Sequence, residues 1–299
     1  MKKVLLSIIL LLYIIKINAQ GCSDAGGCSV GSLSFLETPH KTKINVAVEQ
    51  TFGLGEKFTL IGQTTAIIQY RLFSTTQLEL RSPYIFTVGN IGSATGVGDM
   101  IFSVTQNLFD TQTQGSSLLM GVRLKSNNAN FTYNDAPLPM AYQTSLGSND
   151  FLTGLFYYWQ KWDFYIAYQH AFNRNKNQYI NPTNESDEKK LYYESAGLKR
   201  GDDLYFRVQH TFSLKQNKNK IKATLLNIYR LQEDQILKND ENIHLDGSKG
   251  LTINVGISFI KILKNNKALE LSLSFPVIDR KYRADGLTRN IVFSTKISL

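Results

Sequence analysis

Beyond residue 20 the sequence has no apolar run near the roughly 20 residues that a membrane-spanning helix needs, so a span could be built only from strands. Proline is scarce, and moderate charge with plentiful aromatic residues excludes general disorder. There are only two cysteines, Cys22 and Cys28, and the four histidines (His40, His170, His210, His244) are scattered with no nucleophile motif beside them. An outer-membrane phospholipase or protease would need a Ser-His or Asp-His constellation, so a lumen or loop hydrolase stays a minor reading, and no G-x-x-x-x-G-K-[ST] phosphate loop is present. The sequence also lacks a basic block. Its lysine clusters, "KQNKNK" (215–220) and "KILKNNK" (261–267), lack the interleaved aromatics of a nucleic-acid surface and read as solvated turns.

What is present begins with "MKKVLLSIILLLYIIKINAQ": a basic start, an apolar stretch from Val4 to Ile15, and small Ala19. This is the pattern of a secretory signal peptide cleaved after Ala19. The formal charge of +9 falls to about +6 when Lys2, Lys3 and Lys16 leave with it. The expected organisation is a signal peptide at 1–19, an N-terminal periplasmic segment at 20–43, and one β-barrel at 44–299.

From residue 44 onward the dominant period is two. "GLTINVGISFI" sets Leu251, Ile253, Val255, Ile257 and Phe259 against Thr252, Asn254, Gly256 and Ser258; "WDFYIAYQHAF" and "ALELSLSF" repeat the alternation. A soluble sandwich and a transmembrane barrel both satisfy it. Length separates them. The strands are expected at 44–52, 64–73, 77–88, 98–108, 115–125, 149–159, 163–172, 203–213, 220–230, 250–260, 267–275 and 289–299, mostly as long as a tilted bilayer crossing. Their connections alternate long and short, which predicts an all-β, antiparallel up-and-down barrel of about twelve strands (10–14), with long extracellular loops and short periplasmic turns, in the outer membrane of a Gram-negative envelope.

Further features suit that architecture. Ile291, Phe293, Ile297 and Leu299 alternate up to the final residue, as in a closing strand. Trp159, Trp162, Tyr168 and Tyr229 fall near strand ends, where aromatic girdles sit. His170 and His210 share a Q-H-x-F repeat and the faces of Phe172 and Phe212, and read as interfacial polar contacts; a zinc site would want further ligands nearby. His244 lies among Asp240, Glu241 and Asp246, but the spacing does not follow a calcium loop, so this stretch reads as solvated.

With apolar positions turned to lipid, the inward set contains Glu49, Arg71, Glu79, Arg81, Arg123, Lys125, Asp163, Arg207, Glu270 and Lys296. Arg or Lys against lipid at the midplane costs roughly 2–4 kcal/mol, so these charges belong in a wet lumen. There they serve either as a constriction that selects solutes or as salt-bridged filling. Twelve strands enclose a lumen wide enough to need filling.

At "TGVGDMIFSVTQNLF" (95–109) the sequence resembles the outer-membrane transporters of the MetA-pathway phenol-degradation group and, more distantly, FadL-like channels. The resemblance rests on a G-x-G-D strand start (Gly96, Gly98, Asp99), on "GSNDFLTG" (Gly147, Ser148, Asp150, Phe151, Gly154), and on Pro276, Gly286 and Leu287 before the closing strand. It covers roughly residues 44–299. Each motif also has a plain structural reading, glycine for loop conformations and Asp for capping amides. The resemblance implies passive uptake of small hydrophobic or aromatic compounds without a cofactor. The protein is expected to be a monomer without a metal site, its partners being outer-membrane lipids, lipopolysaccharide and small hydrophobic solutes. The competing reading is a barrel without transport that presents loops 126–148, 173–202 and 231–249 as a surface interaction protein.

"GCSDAGGCSVGSL" (21–33) is weighed against this background. A lipid anchor would need cleavage just before Cys22, after a poor lipobox, and a two-thiolate metal site finds only His40 nearby. An oxidising periplasm favours a Cys22–Cys28 disulfide closing a small loop, worth roughly 2 kcal/mol to that segment. FadL-like relatives carry an N-terminal hatch, and by that analogy residues 20–43 would plug the barrel near its periplasmic end.

Overall fold

The computed structural model describes residues 21–22, 43–182, 192–214, 219–263, 267–286 and 288–299. The expected signal peptide and Cys28 lie outside them. Of the segment at 20–43, only Lys43 and the backbone of Gly21–Cys22 lie inside, the latter pairing with Thr288 and Arg289.

Twelve antiparallel strands form the wall: β1 (Ile44–Gly55), β2 (Leu60–Arg71), β3 (Thr76–Gly89), β4 (Met100–Asp110), β5 (Gln114–Leu124), β6 (Asp150–Trp159), β7 (Trp162–Ala171), β8 (Asp203–Leu214), β9 (Asn219–Arg230), β10 (Gly250–Ile262), β11 (Ala268–Ile278) and β12 (Thr288–Ser298). Each pairs with its neighbours in sequence, and β12 returns to β1, with Lys296 opposite Glu49 and Phe293 opposite Phe52. That pairing closes the barrel. No helix among the described residues is long and apolar enough to cross a membrane.

Alternation sorts the side chains as the period of two requires. Phe52, Ile68, Leu80, Phe102, Leu155, Phe206 and Phe293 are exposed on the outside, while Thr51, Thr65, Gln69, Glu79, Ser103 and Gln169 are buried inside. Trp159 and Trp162 flank the short turn at 160–161. At the opposite end Tyr168, Leu204 and Tyr229 share one register row across β7, β8 and β9, so the aromatic positions mark both rims.

Several boundaries differ from the sequence expectation. β1 and β2 run on to a turn at 56–59, where a stretch of about eleven residues reads as loop, because Lys57 and Phe58 take positive φ and close the hairpin tightly. Lys125 leaves the wall: the Asn149 side chain caps its amide and Asp99 caps that of Ser126, so the chain turns away after Leu124. His170 and His210 lie on neighbouring strands but at opposite ends. His210 faces Trp162 in register, whereas His170 reaches Asp202 at 2.8 Å. The stretch around His244 is a hairpin, Gln235–Lys238 with Glu241–His244. Its Asn239-Asp240 turn has both φ positive, as does Asn134-Asp135 in the 125–149 loop, and such turns match the twist of paired strands. No cluster of metal-ligating side chains occurs among the described residues.

Candidate functional site

The lumen is narrowed by its own loop. Residues 138–148, in the β5–β6 connection, are buried without interruption and line the inner cavity together with wall residues of β1 to β4. A loop can be buried only if its backbone is satisfied. Asp99 accepts from the amide of Leu146 (2.9 Å), Thr87 donates to the carbonyl of Tyr142 (3.0 Å), and Asn177 donates to the carbonyls of Ala129 (2.8 Å) and Leu138 (3.0 Å). The Gln143 side chain joins Phe131 to Leu138 within the loop. Apolar packing completes the anchoring. Met140 and Leu146 meet Leu198, Ile236 and Ala284 from three other connections, and Tyr142 meets Tyr179 and Tyr192.

The short motifs converge on this loop. Pro83 interrupts the ladder of β3, which pairs with β4 as far as Arg81 and with Gly92–Val97 from Tyr84. The break on the partner falls at Gly98-Asp99, with Gly98 against Pro83 and Ile85, and this directs Asp99 to the loop. Gly96 lies beside Thr144 of the loop. Gly147 has φ +70 and no room for a Cβ beside Asn175. Gly286 has φ +66, and a Cβ there would sit 2.4 Å from the Met140 backbone. Pro276 faces inward opposite Asn254. Leu287 lies outside the described residues.

Asp150 is the centre of a buried charge cluster. It takes Arg123 (3.4 Å) and Arg200, with Ser148 at 3.0 Å and Gln169 from β7. A second cluster ties loops to the wall through Arg230, which reaches Asp203 (2.7 Å), Asp285 (2.9 Å) and Asp234. Burial pushes the Asp285 carboxyl up, but Arg280, Arg230 and Arg200 outweigh it and hold it well below the usual carboxylate range. Burial raises the Asp99 carboxyl against the pull of Arg123.

Of the side chains expected inside, Glu49, Glu79 and Arg81 form one group, with Arg81 at 2.7 Å from Glu79 and 3.7 Å from Glu49. Arg207 lies over the Tyr165 ring at 5.2 Å. Glu270 faces Lys296 in register, and Asp163 is buried in the wall. Arg71 is half-buried at the short-turn end, opposite Gln77. Arg200, Asp234 and Asp285 went unanticipated because their stretches read as loop, and Arg230 because it is the last residue of its strand and its partners lie in those loops. Lys222 and Asn254 were legible, since both occupy polar positions in the alternation.

Two adjoining cavities lie along the inner wall among the described residues. One of about 210 Å³ lies beneath the inserted loop, and one of about 160 Å³ lies against β8 to β12; they share Glu49, Ser272, Ser274 and Ser294. Their linings include six cations (Arg81, Arg123, Arg289, Arg207, Lys222, Lys296) and four acids (Glu49, Asp99, Asp285, Glu270).

Solved structures share this architecture. An outer membrane channel from Pseudomonas putida F1 superposes with a TM-score of 0.60 at 11% identity, covering 89% of this chain and 98% of that one. The chain has the fold of an outer-membrane β-barrel. The NanC porin superposes with a TM-score of 0.50 at 9% identity, covering 85% of this chain and 97% of that one. No family model matches the sequence, and no curated protein matches it either.

Proposed function

We propose that this barrel is a passive outer-membrane channel for small polar solutes, with a preference for anions, set in the outer membrane of a Gram-negative bacterium. The observation that carries the reading is the lining of these two cavities, where cationic side chains outnumber acidic ones. Rings of charge in a narrow pore act on permeating ions because little water screens them. The hydrophobic or aromatic solutes implied by the resemblance to MetA-pathway and FadL-like transporters fit this wall less well. Such a solute would displace water from Ser, Thr and Arg side chains without replacing its hydrogen bonds. Leu138, Met140, Tyr142, Tyr179, Tyr192, Leu198 and Ile236 of the long loops are buried in two loop clusters, which favours a channel with a consolidated mouth over a barrel that serves only to present loops.

The test is the purified protein in a planar bilayer under a KCl gradient. Conductance with a reversal potential on the chloride side supports the reading. A silent barrel or a cation-selective one overturns it.

A further inference from the structure

The cavity against β8 to β12 contains a buried group that the wall does not satisfy. Asn254 on β10 is 3% exposed, and neither its Oδ1 nor its Nδ2 has a hydrogen-bond partner among the described residues. Its register neighbours explain why. β9 places Leu226 beside it and β11 places Pro276, and neither side chain carries a hydrogen-bonding group. The next inward position on its own strand is Gly256, which brings no side chain at all. Asn254 therefore presents a donor and an acceptor to the cavity, and buried amides are seldom left so. Two buried cations line the same space: Lys222 at 3% exposure and Arg207 at 7%.

We infer that this cavity binds a small hydroxylated carboxylate, with Arg207 and Lys222 attracting the carboxylate and Asn254 hydrogen-bonded to the hydroxyl. The volume limits the ligand. A cavity of about 150 Å³ admits benzene, so about 160 Å³ suits a hydroxy acid of three or four carbons. Asn254 supplies what charge alone cannot, because a site built to hydrogen-bond a hydroxyl rejects the analogue that lacks it. The inference rests on the channel reading for how the solute arrives, but binding itself can be measured without it.

The experiment is calorimetric titration of the full chain in detergent micelles with glycerate and, separately, with propionate, which keeps the carboxylate and lacks the hydroxyls. Wild type is expected to bind glycerate about tenfold more tightly than propionate. Asn254→Leu is expected to abolish that difference while leaving propionate unchanged, and Asn254→Asp to weaken both by adding negative charge. Heat-modifiable migration in gels confirms that each variant is folded. Equal binding of the two acids, no binding of either, or a preference that survives Asn254→Leu overturns the site and leaves water alone on Asn254. Conductance in KCl is read on the same preparations. Conductance without discrimination removes the site and keeps the channel; discrimination without conductance removes the channel and keeps the site.

Discussion

Asp99 holds Leu146: its Oδ2 accepts the Leu146 amide at 2.9 Å, while its Oδ1 accepts that of Ser126 at 3.0 Å. One carboxylate at the lip of β4 thus ties down both limbs of the loop that narrows the lumen. Asp99→Ala leaves two amides without an acceptor, at a cost of about 1–3 kcal/mol each where they stay buried. The loop is expected to loosen. Single-channel recordings of the variant should show larger and noisier openings than wild type, with gel migration still heat-modifiable.

Gly286 tests the same loop from the other side. Its φ of +66 is costly for any other residue, and a Cβ would strike the Met140 backbone. Gly286→Ala is expected to push residues 140–141 out of place and raise conductance, without altering the charge of the lining. An unchanged single-channel current would show that the loop does not limit flow.

Asp150 is expected to govern stability more than permeation. Removing it takes from Arg123 and Arg200 the buried carboxylate they share, and breaking such a buried pair costs roughly 3–5 kcal/mol. Asp150→Ala should unfold at clearly lower denaturant concentration than wild type, as measured by the gel shift. Asp150→Asn, which keeps the size and some of the hydrogen bonds, should lie between them.

The rim should respond to pH through Glu56. Burial raises its pKa from 4.5 to about 7, against the opposing pull of Arg283 and Lys57. A folded-state pKa above the unfolded one means that the protonated form is favoured by folding. The contribution is therefore present at low pH and is lost as pH rises from about 4.5 through about 7. Thermal unfolding at pH 5 and pH 8 should differ more for wild type than for Glu56→Gln.

The wall was legible in the sequence because a barrel strand carries its own orientation. Phe52, Ile68 and Leu80 fall on one parity and Glu49, Gln69 and Arg81 on the other, so the alternation separates lipid from lumen without knowledge of the partners. The loop that fills the lumen was not. Residues 138–148, "LPMAYQTSLGS", have no period, and their burial depends on the Asp99 carboxylate, which accepts the Leu146 amide, and on the Asn175 and Asn177 side-chain amides, which donate to the Leu146 and Leu138 carbonyls, all from distant stretches. The plug expected from residues 20–43 falls almost wholly outside the described residues; among those described, the filling comes from the middle of the chain. The clusters around Arg230 and Asp150 were hidden for the same reason: their partners come from separate connections and become neighbours only after the barrel closes.

That closure has a kinetic side. Every other wall pairing joins strands adjacent in order, but β12 meets β1 with Asn290 reaching the Gly55 carbonyl across 235 positions of chain. Contacts so remote in sequence form slowly, since chain entropy must be lost before they return anything. Until they form, β1 and β12 each present a bare edge of amides and carbonyls that any passing strand can join. Folding of this chain is thus a race between its own final seam and pairing with a neighbour, and dilution or an edge-shielding escort should raise the yield more than any gain in the stability of the finished barrel.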